Sequence, residues 1–260
     1  MRTLITNGTV VNADGSFRAD VLIEDERIVA VGRVGDESAS GQVLGFLAEL
    51  AVDRTIDAAG RWVVPGGIDP HTHMELDMGG VVAKDTFETG TRAAAFGGTT
   101  TILDFAGQER GASLRSGLEE WMAKAEGHCA IDYGAHIMVS DVNESSLAEM
   151  DDFVAEGVTT FKLFTAYPDR YLSDDGALLR AVRRTADNGG LVLMHAENGL
   201  AIDVVTDALA ESGQTEPYAH GLSRPALLEG ESVNRVIRLA EVAEAPVYVV
   251  HLSSRDALEE

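Results

Sequence analysis

The chain has 260 residues, 20 of them Lys or Arg and 43 Asp or Glu, for a formal net charge of −23. With 45% hydrophobic and 24% charged residues it has the composition of a folded globular protein, which excludes a mainly disordered chain. The acidic balance argues against nucleic acid and anionic membranes as partners, because phosphates would be repelled. The single cysteine, Cys129, excludes an internal disulfide framework and points to a reducing, cytoplasmic compartment. No apolar run reaches the roughly 18 residues that span a bilayer, and Met1 to Val11 does not read as a signal peptide.

Residues 1–63 read as β. Short β-branched runs (Leu4–Ile5, Thr9–Val11, Val21–Ile23, Ile28–Val31) are separated by Asn7-Gly8, Asp14-Gly15 and Asp25-Glu26. This spacing predicts a small antiparallel sheet with tight turns. Ser38 to Val52, rich in Gly, Ala and Leu, reads as an inserted loop or short helix. From Trp62 the pattern changes. Apolar runs at Trp62–Ile68, Thr99–Phe105, Ala130–Val139, Thr159–Phe164, Leu191–Met194 and Ala245–Val250 alternate with helical spacing. The helical stretches are Thr86–Phe96, Leu114–Ala125, Ser145–Ala155, Gly176–Asn188 and Glu231–Ala243. Near-continuous apolar strands separated by helices predict a parallel sheet covered on both faces. Residues 64–260 therefore read as six β/α units of a barrel that in closed form has eight.

Candidate chemistry gathers at the ends of these strands. His71 and His73 in Asp69-Pro70-His71-Thr72-His73 follow strand one, and i, i+2 residues on extended backbone share a face. The pair fits a metal site, with Asp69 orienting one ring; alone it fits two loop histidines equally well. Lys162 lies in an apolar strand, where an unpaired ammonium is costly to bury. It reads either as a lysine reaching back to solvent or as one neutralised or modified. His195 and His251 each follow an apolar strand at once. Four of seven histidines and one of three lysines thus fall at the C-terminal ends of strands one, four, five and six, which in a barrel face one mouth. His128, His136 and His220 do not.

The order His-x-His, strand-four Lys, His, His resembles the amidohydrolase superfamily. The longer stretches Val64–Leu76, Asp85–Ala94, Gly97–Thr100, His195–Gly199, Leu222–Pro225 and His251–Ser254 resemble its cyclic-amide branch, the dihydropyrimidinases and D-hydantoinases. The resemblance runs over essentially all 260 residues. It implies a TIM-like (β/α)8 metal-dependent hydrolase barrel with its last strands missing, preceded by a small N-terminal β-sandwich domain, the division falling at 1–63 and 64–260. It implies two divalent metal ions, usually zinc, bridged by N-carboxylated Lys162, with His71 and His73 on one ion and His195 and His251 on the other. The expected reaction is hydrolysis of a cyclic amide or ureide by water activated between the metals. Tyr167, five residues after Lys162, matches the family tyrosine that stabilises the developing oxyanion. A homotetramer is implied as well.

One departure is large. The family places an aspartate after strand eight, and this chain stops soon after strand six, so the catalytic aspartate and later substrate contacts are expected beyond Glu260. These residues alone are then expected to be inactive and unstable. Asp104, at the end of strand two, matches no ligand position and reads as structural. The loop after His73 and the segment Thr165–Ser173 are expected to shape the pocket for ring substituents, through residues such as Met78 and Tyr171. Allantoinase and dihydroorotase share the metal set and are the nearest alternatives, disfavoured by Tyr167 and Leu222–Pro225. A non-catalytic scaffold of the same fold is disfavoured because every ligand this stretch can contain is present.

Overall fold

A computed structural model describes residues 1–32, 51–77 and 80–260; residues 38–50 of the stretch read above as a loop or short helix, and Met78, lie outside them. The chain divides into two compact units, Met1–Gly67 and Ile68–Glu260.

The first unit is one mixed sheet. β1 (Arg2–Asn12), β2 (Gly15–Glu24) and β3 (Arg27–Gly32) pair antiparallel in sequence. β4 (Arg54–Asp57) and β5 (Trp62–Val63) add to β1 in parallel. The sheet is therefore not purely antiparallel as its spacing predicted: parallel pairing needs a long return connection, and the chain from Gly32 to Arg54 provides the length. Asn7-Gly8 is not a turn either. β1 runs straight through it, the register slipping between Ile5 and Gly8 with Asn7 at φ 62°, which is a bulge. Val10, Ala19 and Val21 form this unit's small core.

The second unit is a curled parallel sheet in the order β6 (Gly67–Asp69), β7 (Thr99–Gly107), β8 (Asp132–Met138), β9 (Thr160–Phe164), β10 (Leu191–His195), β11 (Val247–Val249). The predicted first strand, Trp62–Ile68, is split. Pro65 has no amide hydrogen to donate, so pairing breaks there: Trp62-Val63 joins the first sheet and Gly67–Asp69 starts the second. The connecting helices are α1 (Phe87–Gly97), α2 (Leu114–Ala125), α3 (Glu144–Glu156), α4 (Asp175–Asn188), α5 (Gly199–Glu211), α6 (Ala219–Leu222), α7 (Ala226–Ala243) and α8 (Arg255–Glu259). Thr86 and Asn143 each close a reciprocal cap at the starts of α1 and α3. α5 was not predicted. Its apolar residues run almost all round (LAIDVVTDALA), so no stripe of period 3.6 stands out.

Strand parity sorts the core. Ala106, Ile137, Leu163, Val192 and Met194 pack outward with Leu114, Trp121, Met150, Phe153 and Val233 of the helices. Their neighbours Phe105, Met138, Phe164, Leu193 and Val250 cluster on the inner face. Helix-to-sheet approach is closest at Gly117, where an added Cβ would lie 2.4 Å from the carbonyl oxygen of Gly107. Neither group is a flexible side chain, so Gly117→Ala should lower stability by about 1–3 kcal/mol, read as a drop in the midpoint of thermal or urea unfolding.

Candidate active site

The register of the parallel strands builds an inward-facing row. Met138, Lys162, Leu193 and Tyr248 are partners across β8 to β11, and Phe164 partners His195 one step toward the C-terminal ends. On the other flank Phe105 partners His136. Lys162 is 2% exposed, and its Nζ lies 5.2 Å from the ring centres of both Phe105 and Phe164. Among the described residues no hydrogen bond or ion pair holds that ammonium. Burial pulls its pKa from 10.5 down to about 7.

The histidines line up beside it. Ring centres are 5.1 Å apart for His71 and His73, 5.4 Å for His71 and His251, and 4.7 Å for His251 and His195. His71 follows the first strand of the sheet and His251 the last, so their contact measures how far the sheet has curled. Burial, then the charges of Lys162 and the neighbouring rings, push His71 down to about 4. Burial with His195 and Lys162 does the same to His251, and His73 is lowered chiefly by burial. His71 and His251 are therefore neutral at neutral pH, with a free lone pair each, the form a metal needs. His251 adopts φ 35°, a costly backbone for a residue with a side chain. Among the described residues no three His, Cys, Asp or Glu side chains meet as a preformed cage. The four imidazoles form instead one row, His73, His71, His251 and His195, beside a buried lysine.

Supporting contacts went unread in the sequence. Glu197 Oε2 lies 2.7 Å from His195 Nε2 and is backed by Arg224, whose Nε is 4.0 Å from Oε1. The His195 bond holds the Glu197 carboxyl below the usual range. This leaves Nδ1 as the free nitrogen of His195. His136, one of the three histidines off the rim, lies beneath the motif: its Nε2 is 2.9 Å from Pro70 O and its Nδ1 2.5 Å from Thr160 Oγ1. A carbonyl only accepts, so Nε2–H donates and the neutral ring takes the threonine proton at Nδ1. Asp69 does not orient a ring; it accepts the backbone N–H of His71 at 3.1 Å.

Tyr167 follows β9 with φ 59° and its ring centre 5.2 Å from that of His195. Burial and nearby Glu197 raise its phenol pKa, so it stays a proton donor. The close start of α5 fixes it from behind: a Cβ on Gly199 would lie 2.6 Å from Ala166 Cα and 3.0 Å from Tyr167 N. A cavity of about 510 Å³ adjoins the inner cluster, bordered by Met74, Leu76, Phe105, Glu120, Met138 and Tyr171 among others, and by none of His71, His73, Lys162, Tyr167, His195 and His251. It draws on both the loop after His73 and the Thr165–Ser173 segment.

The Amidohydrolase family model matches residues 62–250. The chain is 57% identical over 259 residues to a D-hydantoinase of Streptomyces coelicolor, covering 100% of this chain and 54% of that protein. It is 45% identical over 260 residues to a D-hydantoinase of Geobacillus stearothermophilus, covering 100% of this chain and 52% of the relative. Among solved structures, a dihydropyrimidinase from Brevibacillus agri superposes with a TM-score of 0.91 at 44% identity, covering 100% of this chain and 54% of the other. The chain thus spans about half the length of the curated relatives it matches. No helix among the described residues is long and apolar enough to cross a membrane.

The unpaired ammonium has a measurable cost. An unfolded chain binds the Lys162 proton up to about pH 10.5 and the fold releases it near 7, so the penalty is complete below pH 7 and fades as pH rises toward 10.5. In metal-free protein Lys162→Met, which keeps the volume and drops the charge, should therefore raise stability by a few kcal/mol at pH 6 and by far less at pH 10. Urea titrations at the two pH values measure the difference.

Proposed function

The chain belongs to the amidohydrolase family, and from that membership we propose that the protein hydrolyses the ring amide bond of dihydropyrimidines or hydantoins at a centre of two divalent metal ions. The observation that carries this reading is Lys162, buried without a counter-charge beside His71, His73 and His251, with His195 next in the row. N-carboxylation answers its burial: the neutral amine forms an N–C bond to CO2 and loses one proton, and the cation becomes an anion able to bridge two metals. A pKa near 7 supports this, because only the free amine reacts. His71 and His73 would hold one ion, His195 and His251 the other, and zinc is the metal proposed.

When bound, such ions lower the pKa of water to near neutrality and polarise a carbonyl. This chain's own residues supply the rest. The cavity beside the inner cluster, which none of the proposed metal ligands lines, would take the substituent of the ring, with Tyr171 stacked on Phe164 at 4.9 Å as one wall. The Tyr167 hydroxyl would donate to the carbonyl oxygen as negative charge gathers on it. Glu197 would keep the proton of His195 on Nε2 and its lone pair on Nδ1. The single cysteine supports a cytoplasmic location, and the family resemblance supports a homotetramer.

Hydrolysis of dihydrouracil, hydantoin and allantoin by the zinc-loaded full-length protein tests the reading; turnover of neither of the first two would overturn it. Lys162→Ala should lose bound metal and reduce turnover by more than the ~10–100-fold typical of losing an outer-shell partner, with partial rescue by small carboxylic acids. Full activity in that variant would exclude a bridging role. Tyr167→Phe should keep the metal and lower kcat by about 10²–10³; unchanged kcat would remove Tyr167 from the chemistry.

A further inference from the structure

The two histidines of the His-x-His segment lie on a loop, and the residues between and after them are hydrogen-bonded to a residue on another strand. Asp104 of β7 is 1% exposed and has no metal-ligating place in the site. Four donors surround its carboxylate. Oδ2 accepts from Thr72 Oγ1 at 2.9 Å and from the Met74 amide at 2.7 Å. Oδ1 accepts from the Phe105 amide at 2.6 Å and from Trp121 Nε1 at 3.1 Å. Thr72 separates the histidines and Met74 follows the second, so both grips fall on the segment that carries the rings. The neighbouring Leu103 carbonyl takes the Thr72 amide at 3.2 Å. Trp121 anchors the far side through α2, packed edge-on to Phe87 at 5.4 Å.

We propose that Asp104 is the positioning residue for the His71–His73 half of the metal centre, clamping that loop to β7 and α2. The claim rests on the two-metal reading above. It depends on a carboxylate rather than on size or polarity. An asparagine amide turned toward Oδ1 would face two obligate donors, the Phe105 and Trp121 N–H groups. Turned toward Oδ2 it would face the Met74 N–H. Each orientation leaves hydrogen against hydrogen inside the protein, so the conservative variant cannot rescue the site.

Zinc affinity and stoichiometry by equilibrium dialysis, with amide hydrogen exchange across residues 72–74, test the proposal in the full-length wild-type protein and its Asp104→Asn and Thr72→Val variants. The expected result for Asp104→Asn is one ion kept and the other weakened about 10–100-fold, with exchange at the Thr72 and Met74 amides at least tenfold faster. Thr72→Val, which removes one of four donors and little volume, should give a smaller shift in the same direction and decides the matter if Asp104→Asn does not fold. Two ions held at wild-type affinity in a folded variant, with unchanged exchange, would overturn the proposal. Wild-type protein that holds no zinc would overturn the two-metal reading instead, and exchange at Thr72 and Met74 would still report whether Asp104 holds the loop.

Discussion

A charge buried without a counter-charge governs this molecule. The Lys162 ammonium is enclosed by Phe105 and Phe164, in a row of side chains that parallel register forces to face inward. Because strand parity is two, Phe161 and Leu163 on either side must pack outward among the helices, and both are fully buried there. The lysine cannot turn away without reversing the strand. The fold thus commits to an unfavourable group at its centre, with the rings of His71, His73 and His251 close enough for its charge to depress their pKa values.

Around that centre, rigidity comes from polar groups in fixed pairs. His136 links β8 to Pro70 and Thr160, Glu197 links His195 to Arg224, and Asp104 links the first loop to α2. Each joins a loop to a strand or helix already locked by apolar packing. The strands hold the site's depth and these contacts hold its angles.

The alternation of apolar strands and helices was legible because parallel sheets write it directly: Leu114–Ala125 matches α2 at both ends, and the other four predicted helices overlap their counterparts. The rim histidines stood out through position relative to those strands. What stayed hidden has physical causes. Pro65 divides an apolar run between two sheets, a choice made by pairing rather than by hydrophobicity. Asn7-Gly8 carries a turn signature yet serves as a bulge, because left-handed backbone suits both. Asp104 read as structural, but its partners stayed hidden, as did those of Glu197, since a carboxylate's partners depend on tertiary approach. A signal did exist for Asp104: a charged residue within the apolar run Thr99–Phe105 poses the same burial problem as Lys162.

Gly199 carries a mechanical consequence. With an ideal Cβ direction pointing 2.6 Å from Ala166 Cα, the start of α5 and the strap bearing Tyr167 form a joint without slack. The backbone that bears the tyrosine cannot shift toward α5 unless the helix gives way. The cavity is bordered differently: there the loop after His73 contributes the flexible thioether of Met74 and the branched side chain of Leu76. Backbone packed on backbone leaves the tyrosine's strap no room to settle, whereas side chains along the cavity can exchange rotamers without moving the chain.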